Sequence, residues 1–170
     1  MAGKIHIGTS GWQYKHWTGN FYPEKMDDES KLEYYSNEFD TVELNNSFYQ
    51  IPREDSIKKW LDATHDDFFF SVKASRYITH MKKLNDPEQP LTNFFDRINT
   101  FGDKLGPVLF QLPPNWNCNI ERLRNFLKTL GDDGRYVFEF RDKTWFNDDV
   151  FDLLREHNAA FCIYELDSEI

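Results

Sequence analysis

The chain has 170 residues, of which 39% are hydrophobic and 17% aromatic, which suits one domain with a substantial core and argues against a disordered chain. A net charge of −9 and a pI near 5.0 argue against nucleic-acid binding by bulk electrostatics, although a local basic cleft could still bind nucleic acid. No apolar run approaches the ~20 residues that span a bilayer, and two cysteines are too few for a secreted disulfide framework. We therefore expect a cytoplasmic protein with reduced cysteines.

Strand-like segments alternate along the chain with segments that have the pattern of amphipathic helices. The strand patterns cover residues 5–9, 41–49, 68–74, 106–112, 135–141 and 160–165. The helix patterns cover residues 28–39, 53–64, 91–101, 120–130 and 148–157. The long polar stretch at 75–90 is expected to be a loop. Short connections between alternating strands and helices predict parallel α/β architecture, in a single domain spanning residues 1–170.

Polar residues occupy one face of these strands, although the strands are too hydrophobic to lie at a protein surface. In residues 41–49, for example, Val42 and Leu44 alternate with Glu43 and Asn45. Across successive strands the polar face carries Glu43, Asn45, Lys73, Gln111, Glu139 and Arg141. An open doubly wound sheet has no shared interior for such a set, whereas a barrel does, with its site at the carboxyl ends of the strands. The pattern therefore predicts a TIM-type (β/α) barrel.

The charged members of this set allow three interpretations. They could form a structural ion network, in which basic side chains neutralise the buried carboxylates Glu43 and Glu139. Those two carboxylates could instead be catalytic, as an acid/base pair of the kind that glycoside hydrolysis uses. The basic residues around one mouth could bind a phosphate or another anion, and these are Lys73, Arg76, His80 and Arg141. Asn45, Tyr49 and Gln111 complete the predicted ligand-binding set, and whether the protein is an enzyme, for instance a hydrolase, is left open.

Aromatic residues near the predicted strand ends support an alternative function. Each of Trp12, Trp17, Tyr49, Trp116 and Trp145 is expected first of all to pack, but together they could stack on a base or a sugar ring. A non-enzymatic nucleic-acid-binding module that uses the same mouth is therefore the alternative.

The histidines show neither His-x-His nor His-Glu-x-x-His, so no metal site is expected, and the sequence assigns no cofactor. A lone serine at position 10 is typical of a turn or a cap.

Several of these segments resemble the YecE-like family, a domain of unknown function that folds as a TIM-type barrel. The matching residues are 7–12, 21–23, 41–45, 48–49, 72–74, 76, 78–80, 105–107, 110–114, 139–141 and 145. The motifs span nearly the whole chain in the family's order. The resemblance implies the fold and no particular reaction, because the family has no established one.

The chain departs from the family pattern in two respects. Asp142 follows the Glu-Phe-Arg motif where the family commonly has His, and two further β/α units of the family have no counterpart here. A complete barrel typically takes about 250 residues. The expected structure is therefore a barrel with about six of eight β/α units, the C-terminal units being absent. Its open strand edges could pair with another chain, in a self-association, or a terminal segment could cover them.

Overall fold

The computed structural model describes residues 3–131 and 133–165. Its strands are β1 (Gly8–Ser10), β2 (Thr41–Leu44), β3 (Phe69–Lys73), β4 (Leu105–Gln111), β5 (Tyr136–Glu139) and β6 (Ala160–Phe161). Its α-helices are α1 (Ser30–Ser36), α2 (Glu54–Asp62), α3 (Glu88–Ile98), α4 (Ile120–Leu130) and α5 (Asp148–Glu156). Short 3-10 helices cover Lys15–Trp17, Asn46–Phe48, Asn99–Lys104 and Lys143–Trp145, and one π-helix covers Tyr77–Met81.

The six strands form one parallel sheet in the order β1 to β6, as the alternation of strands and helices predicted. The order has no reversal, which a doubly wound sheet would require, so it is consistent with six β/α units of a TIM-type barrel. The register aligns Ser10 with Glu43, and Gln111 with Glu139. The chain forms two compact units, residues 3–72 with 95–106 and residues 73–94 with 107–165. The single-domain assignment stays a prediction.

The N-terminal unit, residues 3–72 with 95–106, is built on apolar side chains on one face of β2 and β3. Val42 and Phe70 are fully buried, and the Phe70 ring packs against Phe101 with centroids 5.0 Å apart. Helix α1 buries Leu32 and Tyr35, which are three residues apart and so share one face. Gly8 lies so close to β2 that a Cβ atom would overlap the Thr41 carbonyl, which explains a glycine at the start of β1.

The C-terminal unit, residues 73–94 with 107–165, has an aromatic core between the sheet and α4. Phe110 and Phe138 stack with centroids 5.3 Å apart, and Phe126 of α4 packs edge-on against Phe110 at 5.1 Å. Helix α4 has the predicted bounds, and the Asn119 side chain caps it by accepting a hydrogen bond from the Arg122 N–H at 3.0 Å. Because Phe110 and Phe138 face α4, the alternation of the strands turns Gln111 and Glu139 to the opposite face, as predicted.

The expected loop at residues 75–90 is wrong. The Tyr77–Met81 π-helix occupies part of it, and α3 begins at Glu88 rather than at residue 91. The π-helix buries the Ile78 side chain, and the Ile78 carbonyl accepts a hydrogen bond from the Leu84 N–H. Burial of an apolar side chain therefore gives this mostly polar segment a defined structure. Helix α3 contains a proline in its first turn, a position that tolerates proline because the N–H there needs no partner within the helix.

Both terminal strands differ from the predicted bounds. Strand β1 begins at Gly8, and the side chains of Ile5 and Ile7 are 84% and 68% exposed. Strand β6 has two residues instead of six, and Ile163 beyond it is 88% exposed. A backbone hydrogen bond from Cys162 to Phe138 is the last one that holds β6 against β5 among the described residues. The apolar contribution expected from Leu166 lies outside the described residues.

Candidate functional site

A buried carboxylate lies at the carboxyl end of β5. Glu139 is 4% exposed, and Gln111, its register partner on β4, is 6% exposed. The Gln111 side-chain amide donates to both carboxylate oxygens of Glu139, at 3.0 and 2.9 Å. The carboxylate is therefore held in one orientation by an amide that lies beside it in the sheet.

Arg141 completes this cluster. Its Nε atom donates to Glu139 Oε1 at 2.7 Å, and the Tyr164 ring lies 5.5 Å from the guanidinium carbon. The other two guanidinium nitrogens, Nη1 and Nη2, have no hydrogen-bond partner in the described ranges. Glu139 thus fixes the inner edge of the guanidinium and leaves its outer fork available, which is the part that binds carboxylates and phosphates in a bidentate manner.

His80, in the π-helix that follows β3, lies within electrostatic reach of three cations. Burial lowers the pKa of His80 below its usual value, and the positive charges of Arg76, Lys73 and Arg141 lower it further. Arg76 is exposed, whereas Lys73 and Arg141 are half-buried. The structure therefore gathers all four predicted anion-binding residues into one electrostatically coupled group within the C-terminal unit.

The hydrogen bond of His80 accommodates both protonation states of the ring. His80 Nδ1 lies 2.9 Å from the Thr79 hydroxyl, which can also donate to the Ser75 carbonyl at 3.3 Å. In the neutral ring Nδ1 can accept from this hydroxyl. In the protonated ring Nδ1 donates to it, and the hydroxyl turns to Ser75. Protonation of His80 therefore needs no rearrangement of the buried Thr79 side chain.

The N-terminal unit holds a second polar cluster at the ends of β1 and β2. The Ser10 hydroxyl donates to Glu43 Oε1 at 2.6 Å, and the Asn45 amide donates to the Ser10 oxygen. Tyr49 packs edge-on against Phe48 and is 80% exposed, and no hydrogen bond joins it to Glu43 or Asn45 in the described part of the chain. Glu43 is half-buried, and the hydrogen bond from the Ser10 hydroxyl stabilises its negative charge.

The structure brings together most of the predicted site residues, in two groups. One group lies in the C-terminal unit and contains Lys73, Arg76, His80, Gln111, Glu139 and Arg141. The other lies in the N-terminal unit and contains Glu43 and Asn45. That Glu43 and Glu139 act in one interior stays a prediction.

Sequence reasoning missed three residues of these clusters, or assigned them no specific role. Ser10 was interpreted as a turn residue, yet it bonds Glu43, and its place opposite Glu43 at the ends of adjacent strands was the available signal. Thr79 contacts His80, and Tyr164 packs on Arg141. The sequence has no signal for either contact. The Thr79–His80 contact depends on the geometry of the π-helix, and the Tyr164–Arg141 contact depends on how two separate segments are placed.

Asp142, at the position where the YecE-like pattern commonly has histidine, has a structural contact. Its carboxylate accepts hydrogen bonds from the Thr144 N–H at 2.9 Å and the Thr144 hydroxyl at 2.6 Å. These bonds lower the pKa of Asp142. The carboxylate therefore caps the Lys143–Trp145 turn, which positions the buried Trp145 ring against Phe140 at 4.9 Å. Trp145 and Trp116 pack in this way rather than as exposed stacking surfaces.

The fold and these clusters define the class of the protein: a parallel α/β protein of the TIM type with polar side chains at the carboxyl ends of its strands. The model of the family described as "Protein of unknown function DUF72" matches residues 6–169. The chain belongs to this family, which confirms the resemblance to YecE-like proteins. None of the helices in residues 3–131 and 133–165 has the length and apolar character to cross a membrane.

The chain is similar to two curated relatives. It is 34% identical over 152 residues to the UPF0759 protein YunF of Bacillus subtilis (strain 168), covering 84% of this chain and 52% of that protein. It is 28% identical over 143 residues to the UPF0759 protein YecE of Escherichia coli (strain K12), covering 84% of this chain and 50% of that protein. The chain thus spans about half the length of the curated relatives it matches.

Solved structures of the family have the same fold. A crystal structure of a DUF72 family protein from Thermotoga maritima MSB8 superimposes with a TM-score of 0.79 at 30% identity, covering 92% of this chain and 63% of that one. A DUF72 family protein from Enterococcus faecalis V583 gives a TM-score of 0.71 at 20% identity, which supports the fold alone. These likenesses support the α/β assignment and name no reaction.

Proposed function

We propose that the C-terminal unit binds a small anionic molecule, a phosphate-bearing one in particular, at the carboxyl ends of β3, β4 and β5. The observation that carries the proposal is the grouping of Arg76, Lys73 and Arg141 around His80, with Arg141 held by Glu139 through its Nε atom alone. A protein with a net charge of −9 has little reason to gather cations at one place for solubility. An anion would relieve their mutual repulsion.

The geometry of Glu139 favours binding over a purely structural ion network. In a structural network each cation would have a carboxylate of its own. Here Glu139 is the one acid in this cluster of the described residues, and Gln111 and Arg141 already occupy its oxygens. The Glu139 carboxylate is thus engaged by Gln111 and by the inner edge of Arg141. We infer that Glu139 orients Arg141, and that the outer fork of the Arg141 guanidinium is available to a ligand.

Titration calorimetry with sulfate, phosphate and a simple phosphomonoester tests this function. Because each Coulombic contact in a partly solvated site is worth about 1 kcal/mol, Arg141→Ala and Lys73→Ala should each weaken anion binding by roughly five- to ten-fold. Lys128→Ala is the matched control, since it removes an exposed lysine on α4 in the same unit. Equal affinity in all three variants would show that the anions bind by general charge and not at this cluster.

Single-stranded nucleic acid is a second candidate ligand, supported by one observation. Tyr77 is 46% exposed and follows the exposed Arg76, so an aromatic ring and a phosphate-binding cation are neighbours at the start of the π-helix. Oligonucleotide binding that weakens steeply with salt and is lost in Tyr77→Ala would favour this function. Turnover of a phosphoester that is lost in Glu139→Ala would favour an enzyme instead.

A further inference from the structure

The Ser10 hydroxyl, at the end of β1, has a proton directed at a carboxylate. It donates to Glu43 Oε1 at 2.6 Å, and its oxygen accepts a hydrogen bond from the Asn45 side-chain amide. A hydroxyl oxygen has two lone pairs, so one lone pair of Oγ remains after the bond from Asn45. Ser10 is exposed, and a molecule from solvent can therefore approach this oxygen.

Three contacts hold the backbone on both sides of Ser10. The Thr9 N–H donates to the hydroxyl of the buried Tyr35 at 2.8 Å, and the Thr9 hydroxyl donates to the Gly11 carbonyl at 2.7 Å. The Tyr14 hydroxyl donates to the Ser10 carbonyl. Gly11 has a φ of 92°, which residues with a side chain rarely adopt, so the chain turns directly after Ser10. The strand end therefore presents the Ser10 side chain on a fixed backbone.

Glu43 has the position of a general base for this hydroxyl. The parallel register of β1 and β2 places Glu43 beside Ser10. Their oxygen–oxygen distance of 2.6 Å is within the range of ~2.6–3.2 Å over which a base takes the proton of a nucleophile. Both residues lie at the carboxyl ends of their strands, which is where barrels of this type carry their catalytic groups.

A purely structural role explains less of this arrangement. The bonds that join Ser10 to Glu43 and Asn45 are exposed, and exposed hydrogen bonds contribute little to stability because water competes for both partners. Strands β1 and β2 are already joined by their backbone pairing. Tyr35 joins them as well, since its hydroxyl accepts from the Thr9 N–H and donates to the Thr41 carbonyl at 3.0 Å.

We propose that Ser10 is a nucleophile that takes an acyl group from a small uncharged carboxylic ester, with Glu43 as its general base. Oγ forms a bond to the ester carbonyl carbon, and Glu43 Oε1 takes the hydroxyl proton. The bond from that carbon to the alcohol oxygen then breaks. The oxygen keeps the electron pair and receives the proton from Glu43, which releases the alcohol and leaves an acyl group on Ser10.

Water completes the cycle. Glu43 takes a proton from a water molecule, and the resulting hydroxide adds to the acyl carbon. The bond between that carbon and Oγ breaks, Oγ regains a proton from Glu43, and the carboxylic acid leaves. The net reaction is the hydrolysis of an ester to an acid and an alcohol. The Asn45 amide donates to Oγ, and this bond strengthens when Oγ gains negative charge.

The charge of Glu43 selects between two classes of ester. A carboxylate 2.6 Å from the nucleophile repels an anionic phosphoester, whereas it has no such effect on an uncharged carboxylic ester. The substrate class therefore differs from the anions proposed for the C-terminal unit, and this inference does not depend on that proposed function.

Diisopropyl fluorophosphate tests whether Ser10 is a nucleophile, because it is uncharged and forms a stable adduct with an activated serine. The whole chain is treated with the reagent, its intact mass is measured, and peptide fragmentation locates the adduct. We expect a diisopropylphosphoryl group on Ser10, with release of fluoride, and none at this position in Ser10→Ala. Hydrolysis of p-nitrophenyl acetate should also fall in Ser10→Ala, to the rate in buffer alone.

Two variants and one control separate base catalysis from a structural role. Glu43→Gln keeps an oxygen that accepts from Ser10 but cannot take its proton, so labelling should slow by about 100-fold with little change in the midpoint of urea unfolding. Asn45→Ala should slow labelling by about ten-fold. Glu38→Gln, which removes an exposed carboxylate in the same unit, should react like the parent chain.

Three results would overturn the proposal. They are a parent chain without an adduct on Ser10, an equal labelling rate in Glu43→Gln and the parent chain, and ester hydrolysis that Ser10→Ala retains in full. None of them depends on the stability of Asn45→Ala.

Discussion

The sharpest test of the site architecture is the substitution Gln111→Leu. Leucine has nearly the volume of glutamine, so it fills the same space on β4 without the amide donor. In the native chain that amide contacts both oxygens of Glu139, at 3.0 and 2.9 Å, and the carboxylate is 4% exposed. The variant leaves Glu139 with the Arg141 Nε bond alone. One oxygen of a buried anion then has no donor.

The size of the effect follows from these contacts. A hydrogen bond to a charged group contributes about 1.5–3 kcal/mol, and an unsatisfied buried charge costs at the upper end of that range. We expect Gln111→Leu to lower the free energy of unfolding by about 2–3 kcal/mol. For a chain of this length the corresponding fall in Tm is roughly 4–10 °C. The loss should be accompanied by weaker sulfate binding, because Glu139 then orients Arg141 less well.

Urea unfolding followed by circular dichroism measures the change. The matched control is Gln50→Leu, because Gln50 is exposed and its side chain has no hydrogen bond in the described residues. Its unfolding free energy should stay within about 0.5 kcal/mol of the parent value. The double variant Gln111→Leu with Glu139→Leu removes both partners, so it should lose less than the sum of the two single variants.

A value for Gln111→Leu within about 0.5 kcal/mol of the parent would refute this reasoning. It would mean that the Glu139 carboxylate reaches water or another donor once the amide is gone. Strict additivity in the double variant would lead to the same conclusion, since uncoupled residues cannot form a single hydrogen-bonded cluster.

Three further predictions concern protonation and helix capping. An anion raises the depressed pKa of His80, so anion binding is accompanied by uptake of a proton. Sulfate affinity should therefore increase as pH falls below about 6.5. Calorimetry at several pH values should show this increase, and His80→Gln should abolish it. Burial raises the pKa of Tyr22, so its contribution to stability is present below the unfolded pKa of about 10 and is lost as pH rises above it. The stability of Tyr22→Phe should therefore depend less on alkaline pH than that of the parent chain. An equal dependence would contradict the raised pKa of Tyr22. Asn119→Ala should cost about 1 kcal/mol in urea unfolding because the cap of α4 is lost, whereas Asn117→Ala, two residues earlier, should cost nothing measurable.

Local rules in the sequence were sufficient for some elements and not for others. Helix α4 could be predicted with its bounds because a capping asparagine, apolar residues at three- and four-residue spacing, and Gly131 act within one segment. The π-helix at Tyr77–Met81 could not, because Lys83 and Leu84 beyond it adopt positive φ values, 49° and 64°, that only the burial of neighbouring side chains makes favourable.

The candidate site divides in the same way. The period of two in β4 and β5 by itself determined that Gln111 and Glu139 share a face opposite Phe110 and Phe138. The pattern could not show that one amide bonds both carboxylate oxygens, or that Arg141 uses Nε and keeps its fork free, because side-chain torsions depend on neighbours from other strands.

The sequence alone thus determined the order of strands and helices, the polar face of the sheet and the family. Each of these depends on residues close together in the chain or on motifs that follow the family's order. Only the tertiary structure decided which charges act on His80, that Ser10 bonds Glu43, and that the Trp12 and Trp60 rings meet edge to face. These contacts join residues far apart in sequence, and their energies depend on distance and burial, which exist only once the chain has folded.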